Sequence, residues 1–300
     1  MGGDPIRSLS ALPAQQGRRA FCNNPYVKAL TDLSELLSYD GSMKLLYGKD
    51  VAAFIKQRHM AQSAGLSTKP RLAIVRMGDD AATDRYLRSK QRYGDDIGAD
   101  VDIYAETPDT IIKTIKKLGK DPKVTGIIVQ LPLSDRTMTD SALAAVPPSK
   151  DVDGLAPNSD FEAGTPKAVL WLLASHNVDV KGHIVVIGQG RLVGKPLADR
   201  LEASGLDVVR CDIHTKDLAA ETRQADIIFT GTGQPNLIKS DMVKEGAVVV
   251  DTGSPLCELD PSLFEREDLT LTPNPGGVGP MTVSALFDNL LIAANRQSRD

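Results

Sequence analysis

The chain has 300 residues, of which 41% are hydrophobic and 25% are charged, and its formal net charge is −4. At about 150 residues per domain this length predicts two domains with a hydrophobic core in each, which excludes disorder as the main state. The slight excess of acidic residues and the lack of a long basic block argue against nucleic acid as a partner.

The first 42 residues differ in composition from the rest of the chain. Glycines and prolines punctuate them, and a few arginines lie among serines and alanines. Three interpretations stay open: a weakly basic targeting leader, a non-native extension before Met43, and a surface tail with one amphipathic helix within residues 26–37. We expect the segment 1–42 to lie outside the catalytic fold.

From Met43 onward, patterns typical of helices and strands alternate. The periodicity predicts a helix near residues 51–60, followed by strand, helix, strand, helix and strand at 72–75, 80–97, 101–104, 111–118 and 126–130. This order is typical of parallel strands joined by crossover helices.

A second alternating series begins after Thr165 and Pro166. It predicts a helix to Ser175, a strand at 183–188, a helix at 195–204 and strands at 208–211, 226–230 and 247–251. This is the order of a doubly wound nucleotide-binding sheet. A closing helix at 281–294 could return to either domain.

The strand at 183–188 leads directly into a turn with glycines at 188, 190 and 194. Such a turn before a helix lets backbone N–H groups approach a pyrophosphate without obstruction by a β-carbon. Two later strands also lead into glycine-containing turns, GTGQP at 231–235 and DTG at 251–253. Because ligands of doubly wound sheets bind at the carboxyl ends of strands, these turns favour a dinucleotide site over a purely structural turn.

Tyr86 and Lys90 are spaced so that a helix places them on one face, one turn apart. The same YxxxK spacing is the signature of short-chain dehydrogenases, but in those enzymes the glycine-rich loop comes first, whereas here it follows the pair. In isolation the pair is more often a half-buried tyrosine beside a solvated lysine.

Polar residues also lie at the end of one strand and in the next loop. Gln130 ends an apolar strand, where an amide is costly to bury unless it is paired, so it either caps the strand or faces a cleft. Asp151 and Asp153 in KDVDG follow two prolines in a predicted loop, where aspartates either cap backbone N–H groups or belong to a site.

The histidines and cysteines show neither metal-binding spacing nor catalytic partners, so the sequence predicts no metal site. Three widely spaced cysteines without a CxxC pattern are typical of a reducing compartment. The apolar runs fall far short of the roughly 20 residues that span a bilayer. We therefore expect a soluble, cytoplasmic protein without a membrane partner, with organellar targeting by residues 1–42 as the alternative.

Six motifs, taken together, resemble the methylenetetrahydrofolate dehydrogenase/methenyltetrahydrofolate cyclohydrolase family. In chain order they are YLRSK (86–90), VQLPL (129–133), KDVDG (150–154), VGKP (193–196), TGQP (232–235) and PGGVGPMT (275–282). Their order and rough spacing agree with the family from Met43 to about Ala294, and the first 42 residues have no counterpart.

The resemblance implies an α/β fold with two domains. A folate-binding catalytic domain would occupy residues 43–163, completed by 281–297, and a Rossmann-type cofactor domain with a doubly wound parallel sheet would occupy 164–280. It also implies a homodimer that oxidises 5,10-methylenetetrahydrofolate with a nicotinamide cofactor and hydrolyses the 5,10-methenyl product to 10-formyltetrahydrofolate, in one-carbon metabolism.

The resemblance further implies roles that the chemistry of each residue can support. Lys90 would be the central catalytic group, since burial lowers the pKa of an ammonium and a partly neutral amine can direct water or handle a proton. Gln130 would hold that amine, Tyr86 would stack on the folate ring, and Asp153 would accept hydrogen bonds from the pterin edge. Further substrate contacts are expected from Thr83, Leu131, Pro275, Gly276 and Gly277.

For the dinucleotide, NAD and NADP both stay open. Family members that use NADP place an arginine where this chain has Gln189, and Asp212 ends a strand where an acid binds a free ribose hydroxyl, so NAD is mildly favoured. Against this, Arg191, Arg210, His214, Thr215 and Lys216 are near enough in sequence to form a phosphate pocket. The expected cofactor residues are Gly188, Gln189, Gly190, Arg191, Val193, Gly194, Asp212, His214, Thr215, Thr232, Gly233, Gln234, Asp251 and Gly253.

Two other features depart from the family pattern: Thr83 replaces a serine three residues before the tyrosine, and the stretch between Gly154 and Thr165 is short. Two rival functions remain, a dehydrogenase without the hydrolytic step and a non-catalytic folate- or nucleotide-binding subunit. The presence of Lys90, Gln130 and Asp153 argues against both, because a binding module has no need of a buried ammonium.

Overall fold

The computed structural model describes residues 43–78, 81–253 and 256–298. The predictions for segment 1–42 lie outside these residues. The chain forms two compact units, of which the first contains residues 52–164 and 282–298. The second contains residues 43–51 and 165–281.

The first unit is built on a three-stranded parallel sheet. Its elements, including two helices that begin in the second unit, are α1 (Lys49–Ala64), β2 (Arg71–Met77), α2 (Ala81–Ile97), β3 (Asp100–Glu106), α3 (Ile111–Lys120), β4 (Gly126–Val129), α4 (Thr139–Ala144) and α8 (Gly279–Gln297). The strand order is β3-β2-β4. The central strand β2 is buried at every position except Arg71, as its nearly continuous apolar sequence predicts.

Alternate residues of β2 enter two different cores. Val75 packs with Ile111 and Ile115 of α3, whereas Ile74 packs with Phe287 and with other apolar residues of α8. This division follows from the two-residue period of a strand, which sends successive side chains to opposite faces. From Thr282 onward the closing helix therefore covers one face of the first unit.

In the second unit, the described residues form a six-stranded parallel sheet. Its elements are β1 (Lys44–Leu45), α5 (Gly164–Ser175), β5 (Ile184–Ile187), α6 (Gly194–Ala203), β6 (Val208–Cys211), α7 (Leu218–Thr222), β7 (Ile227–Thr230), β8 (Val248–Asp251) and β9 (Thr270–Leu271). The strand order is β1-β9-β8-β7-β5-β6, and it reverses at β5, whose neighbours are β6 and β7. Doubly wound sheets bind ligands at such a reversal, and here the glycine-rich turn follows β5 directly.

The predicted α/β fold with two domains and a doubly wound sheet is confirmed. The largest difference from the expected boundaries is that residues 43–51 belong to the second unit rather than to the first, and Gly164 and Met281 each lie one residue across an expected boundary. The cause is β1, which pairs with β9 through Lys44 and Leu45. Among the described helices, none is long and apolar enough to cross a membrane.

Candidate functional site

In the first unit, α2 and the end of β4 bring Lys90 and Gln130 together. Lys90 Nζ donates a hydrogen bond to Gln130 Oε1 at 2.8 Å. Gln130 Nε2 donates to Leu131 O at 3.0 Å, and Gln130 N continues the strand ladder by donating to Val75 O at 2.8 Å. The amide is therefore fixed with its oxygen toward the ammonium, so Gln130 meets the lysine instead of only ending the strand.

Burial and neighbouring charges shift the pKa values of this cluster. Burial lowers the pKa of the Lys90 ammonium, and the negative charge of Asp153 opposes that change. Burial raises the pKa of the Asp153 carboxyl, while Lys90 lowers it and Asp151 raises it further. Desolvation thus makes the neutral form of each group more accessible than it is in water.

The two aspartates of KDVDG have different environments. Asp151 is buried, its Oδ2 accepts a hydrogen bond from Ala156 N at 2.7 Å, and its backbone O accepts one from Ser159 Oγ at 3.1 Å. Asp153 has no such backbone donor to its carboxylate among the described residues. Asp151 therefore holds the turn, and Asp153 is the carboxylate that interacts with Lys90.

Asn289 of α8 anchors the same loop, although no sequence motif marks it. Its Nδ2 donates to Val152 O and to Glu162 O, each at 2.9 Å. The loop closes tightly at Gly154, which has φ +71° and whose added β-carbon would lie 2.5 Å from Ala163 N. The one signal that could have revealed Asn289 is that it is a polar residue on the buried side of the closing helix.

The other predicted substrate residues are divided between the units. Tyr86 is 44% exposed on α2, Thr83 is buried on the same helix, and Leu131 directly follows Gln130. Pro275, Gly276 and Gly277 belong to the second unit. There Gly276 O accepts a hydrogen bond from Gly48 N at 2.8 Å.

In the second unit, the three glycines of the turn after β5 have different surroundings. Gly188 has φ +87°, and a β-carbon added to Gly194 would lie 1.6 Å from Gly188 O, so both positions require glycine. A β-carbon at Gly190 would meet nothing within 4 Å. The open space at Gly190, just before α6, fits the close approach of a dinucleotide pyrophosphate.

Glu258 shapes the TGQP turn. Its buried carboxylate accepts hydrogen bonds from Thr232 N at 2.8 Å, Thr232 Oγ1 at 2.8 Å and Gly233 N at 2.6 Å, and from Thr230 Oγ1. These donors of Thr232 and Gly233 are therefore engaged within the protein, while Gln234 is exposed. No local pattern marks Glu258, because its partners lie more than twenty residues earlier in the chain.

Asp251 organises the DTG turn in a similar way. Its Oδ1 accepts a hydrogen bond from Gly253 N at 2.7 Å, and its Oδ2 accepts one from Glu258 N at 3.1 Å and one from Asn274 Nδ2 at 3.2 Å. Burial raises the pKa of the Asp251 carboxyl, and these hydrogen bonds oppose the change. Asp251 thus positions the turn through its backbone contacts.

The ends of β5 and β6 place the residues expected at the ribose side by side. Gln189 Nε2 donates to Val186 O at 3.0 Å. Asp212 Oδ1 accepts a hydrogen bond from His214 N at 2.8 Å, and Asp212 N donates to Thr215 Oγ1 at 2.9 Å. Asp212, His214 and Arg191 are exposed, and Val193 is half-buried. An exposed carboxylate beyond the second strand of the series fits a ribose hydroxyl.

In the described part of the chain, no group of three or more histidine, cysteine, aspartate or glutamate residues is placed to hold a metal ion.

Comparisons with known proteins match both units. A family model described as tetrahydrofolate dehydrogenase/cyclohydrolase, catalytic domain, matches residues 46–153, and one for the NAD(P)-binding domain of the same family matches residues 163–298. The bifunctional protein FolD of Nitratiruptor sp. is 37% identical over 282 residues, which cover 86% of this chain and 100% of that relative.

Two solved structures are similar over nearly their full lengths. FolD from Campylobacter jejuni has a TM-score of 0.80 and 35% identity, and the match covers 85% of this chain and 99% of that one. The Trypanosoma brucei methylenetetrahydrofolate dehydrogenase-cyclohydrolase, solved with NADP and an inhibitor, has a TM-score of 0.80 and 26% identity, and the match covers 86% and 99%.

Proposed function

Since the chain belongs to the tetrahydrofolate dehydrogenase/cyclohydrolase family, we propose that it oxidises 5,10-methylenetetrahydrofolate and hydrolyses the 5,10-methenyl product to 10-formyltetrahydrofolate. The family resemblance predicted from the sequence is confirmed. The observation that carries the two-step proposal is the hydrogen bond of 2.8 Å between the Lys90 ammonium and Gln130, in a cluster that also contains Asp153.

In the oxidation, a bound nicotinamide cofactor would supply the hydride acceptor for the methylene carbon. The turn with Gly188, Gly190 and Gly194 would hold its pyrophosphate, since the backbone there can come close without a β-carbon in the way. Tyr86 provides an exposed ring on which the flat folate stacks. Asp153 binds the guanidine-like edge of the pterin through charge-assisted hydrogen bonds.

In the hydrolysis, the Lys90 amine directs water onto the methenyl carbon and takes up one of its protons as the C–O bond forms. The second proton of the water then passes to N5 as the bond between N5 and that carbon breaks, which leaves the formyl group on N10. A lowered pKa is needed for this role, because only the neutral amine accepts a proton. Gln130 accepts a hydrogen bond from Lys90 without adding a charge, so it fixes the nitrogen without restoring the usual ammonium pKa.

The first of the two rival functions is a dehydrogenase without the hydrolytic step. It would have no use for a desolvated amine held by a neutral amide. The second is a non-catalytic binding subunit, which would favour a stable ion pair over a lysine whose pKa is lowered by burial. The Lys90 cluster therefore supports the bifunctional enzyme over both.

The test uses the full chain and two absorbance assays. The first follows NADH or NADPH formation with methylenetetrahydrofolate and each cofactor, and we expect turnover with at least one of them. The second follows loss of methenyltetrahydrofolate absorbance without cofactor, against the uncatalysed rate in the same buffer. Failure of the first assay with both cofactors contradicts the dehydrogenase assignment, and an uncatalysed rate in the second contradicts the cyclohydrolase assignment.

We also propose a homodimer in the cytoplasm. In the described residues β3 lies at one edge of its sheet, so alternate residues along it have backbone groups available for pairing with a second copy. Ile103 on this strand is 37% exposed. The free thiols of Cys211 and Cys257 fit a reducing compartment. Light scattering after size exclusion tests the dimer, and a mass near the 32.2 kDa of one chain would contradict it.

A further inference from the structure

Arg210, the third residue of β6, is held by three side chains. Its Nε donates to Glu202 Oε1 at 2.8 Å and its Nη2 donates to Glu202 Oε2 at 2.7 Å, which makes a bidentate pair. The same Nη2 donates to Asp199 Oδ1 at 2.6 Å, and Nη1 donates to Gln189 Oε1 at 3.4 Å. Every nitrogen of the guanidinium therefore has a partner.

Both carboxylates lie on α6, the helix that follows the glycine-rich turn. Asp199 also accepts a hydrogen bond from Lys195 Nζ at 2.6 Å, so two cations and two carboxylates balance in this cluster. The hydrogen bond from Arg210 lowers the pKa of Glu202. Burial works against the charged form of Asp199, but its bonds to Lys195 and Arg210 leave its pKa lowered as well. The lowered pKa values keep both carboxylates charged at neutral pH.

The cluster lies where the sheet would recognise the adenine-side ribose. Gly188 N donates to Cys211 O at 2.9 Å, and Gln189 and Asp212 directly follow these two residues. In doubly wound sheets, a free 2′-hydroxyl is bound by an acid at the end of the second strand, whereas a 2′-phosphate needs a nearby arginine. A phosphate monoester carries close to two negative charges at neutral pH. At this position the exposed carboxylate of Asp212 would repel it, and Arg210 would not compensate because its charge is already balanced by Glu202 and Asp199.

We propose that Asp199 and Glu202 are specificity-determining residues for the nicotinamide cofactor. By holding Arg210 against α6 they withhold its guanidinium from a 2′-phosphate, and Asp212 accepts a hydrogen bond from a free 2′-hydroxyl, so the enzyme selects NAD over NADP. This inference rests on the proposed function. The hydrogen bonds of Arg210 give a physical cause for the preference for NAD. The sequence alone could not give this cause, because it left Arg210 among the residues near enough to bind a phosphate.

The test is a binding titration of the full chain with NADH and NADPH, followed by cofactor fluorescence and independent of turnover. We expect the wild-type chain to bind NADH more tightly. The double variant Asp199→Asn/Glu202→Gln removes both charges at nearly constant size. It should bind NADPH about ten- to a hundredfold more tightly than the wild type does, the range of one charge-assisted hydrogen bond. Adding Arg210→Gln should abolish this gain.

Asp268→Asn is the matched control. It breaks another aspartate–arginine pair, in which Arg266 Nη2 donates to Asp268 Oδ2 at 2.5 Å, before β9 and thus at the amino end of the strands. This variant should keep the wild-type preference. If the double variant does not fold by circular dichroism, Glu202→Gln alone removes the bidentate partner and should shift the preference in the same direction.

Three results would overturn the proposal: wild-type NADPH affinity equal to or above that for NADH, an unchanged preference in the folded charge variants, or a gain that survives Arg210→Gln. The outcome is separable from the proposed function. Selective NADH binding without oxidation of methylenetetrahydrofolate would contradict the function and support the selectivity. Oxidation with both cofactors at equal kcat/KM would support the function and contradict the selectivity.

Discussion

The two units each hold a positively charged side chain against polar partners, with opposite consequences. In the first unit, Lys90 meets the neutral amide of Gln130, and burial lowers its pKa. In the second unit, Arg210 meets the carboxylates of Glu202 and Asp199, and their hydrogen bonds raise its pKa. The first arrangement leaves a cation ready to lose its proton, and the second keeps a cation charged and occupied.

The difference shows that the partner, more than the cation, decides what a basic side chain can do. A neutral acceptor fixes geometry without offsetting the cost of desolvation, so the neutral form of the base becomes accessible. A pair of carboxylates stabilises the charged form and also uses the donors that a ligand would need.

Lys90→Met should produce the largest effect, loss of methenyltetrahydrofolate hydrolysis to the uncatalysed rate. The substitution removes the base but keeps an unbranched side chain, so both binding pockets remain and the dehydrogenase step should be impaired less completely. The measurement is the initial rate of each step with purified protein. Lys69→Met is the control, since Lys69 forms an exposed pair with Asp100 at 2.5 Å, and it should leave both rates unchanged. Near wild-type hydrolysis by Lys90→Met would contradict the assigned role.

Asp153→Ala should raise the folate KM and lower kcat/KM of both steps together. The loss of a charge-assisted hydrogen bond to the pterin costs about 1.5–3 kcal/mol, or about ten- to a hundredfold. Asp151→Ala is the contrasting variant, because it leaves Ala156 N without its acceptor. It should mainly lower the melting temperature, and it should raise the folate KM less than Asp153→Ala does. Reversed results, with Asp153→Ala affecting only stability, would make Asp153 a second turn residue.

Gln130→Glu should move the pH dependence of hydrolysis. Hydrolysis increases with pH as Lys90 loses its proton, and a carboxylate 2.8 Å from the nitrogen would favour the ammonium and raise the pKa of Lys90. The rising limb of the pH–rate profile should therefore shift to higher pH, by about one unit for each 1.36 kcal/mol of added attraction. Gln224→Glu adds the same charge in the second unit and should leave the limb in place. An unshifted limb in Gln130→Glu would show that Lys90 does not set it.

The sequence predicted the sheets well because their strands are continuous apolar runs. All four residues of β5 and of β7 are buried, and both strands were expected within one residue of their observed ends. Two-residue strands such as β1 and β9 have no detectable period, and their pairing joins residues far apart in the chain. For that reason residues 43–51 lie in the second unit rather than in the expected first one, although the catalytic-domain family model matches from residue 46. The order of the longer elements was right.

The residues of the candidate site were predictable where they belong to a sequence motif. They were not predictable where they act through contacts with residues distant in the chain. Lys90 and Gln130 were expected to meet, and they do. Asn289 and Glu258 escaped notice because each acts on backbone groups elsewhere in the chain, which no local pattern encodes. The sequence also treated Gly190 like its two neighbouring glycines, although only the others are required by close packing.

The smallest expected effect is on the melting temperature. At neutral pH it should rise when Lys90 is replaced and fall when Arg210 is replaced. Burial places the folded-state pKa of Lys90 below its ordinary value of 10.5, so the charged lysine destabilises the fold at neutral pH. As pH rises from the folded-state pKa toward 10.5, the unfolded chain holds more protons, and wild-type stability increases until the penalty is gone. Lys90→Met should therefore melt higher than wild type at about pH 7, with the difference shrinking toward about pH 10.

Arg210→Gln should instead melt slightly lower at both pH values, because it removes partly exposed ion pairs that solvent largely screens and that do not titrate in this range. Melting temperatures by differential scanning fluorimetry at the two pH values check both variants. A lower melting point for Lys90→Met at neutral pH would mean that the hydrogen bond of Lys90 to Gln130 and its attraction to Asp153 together outweigh the desolvation of the ammonium. In that case Lys90 would be a stabilising residue like Arg210, and the contrast between the two units would fail.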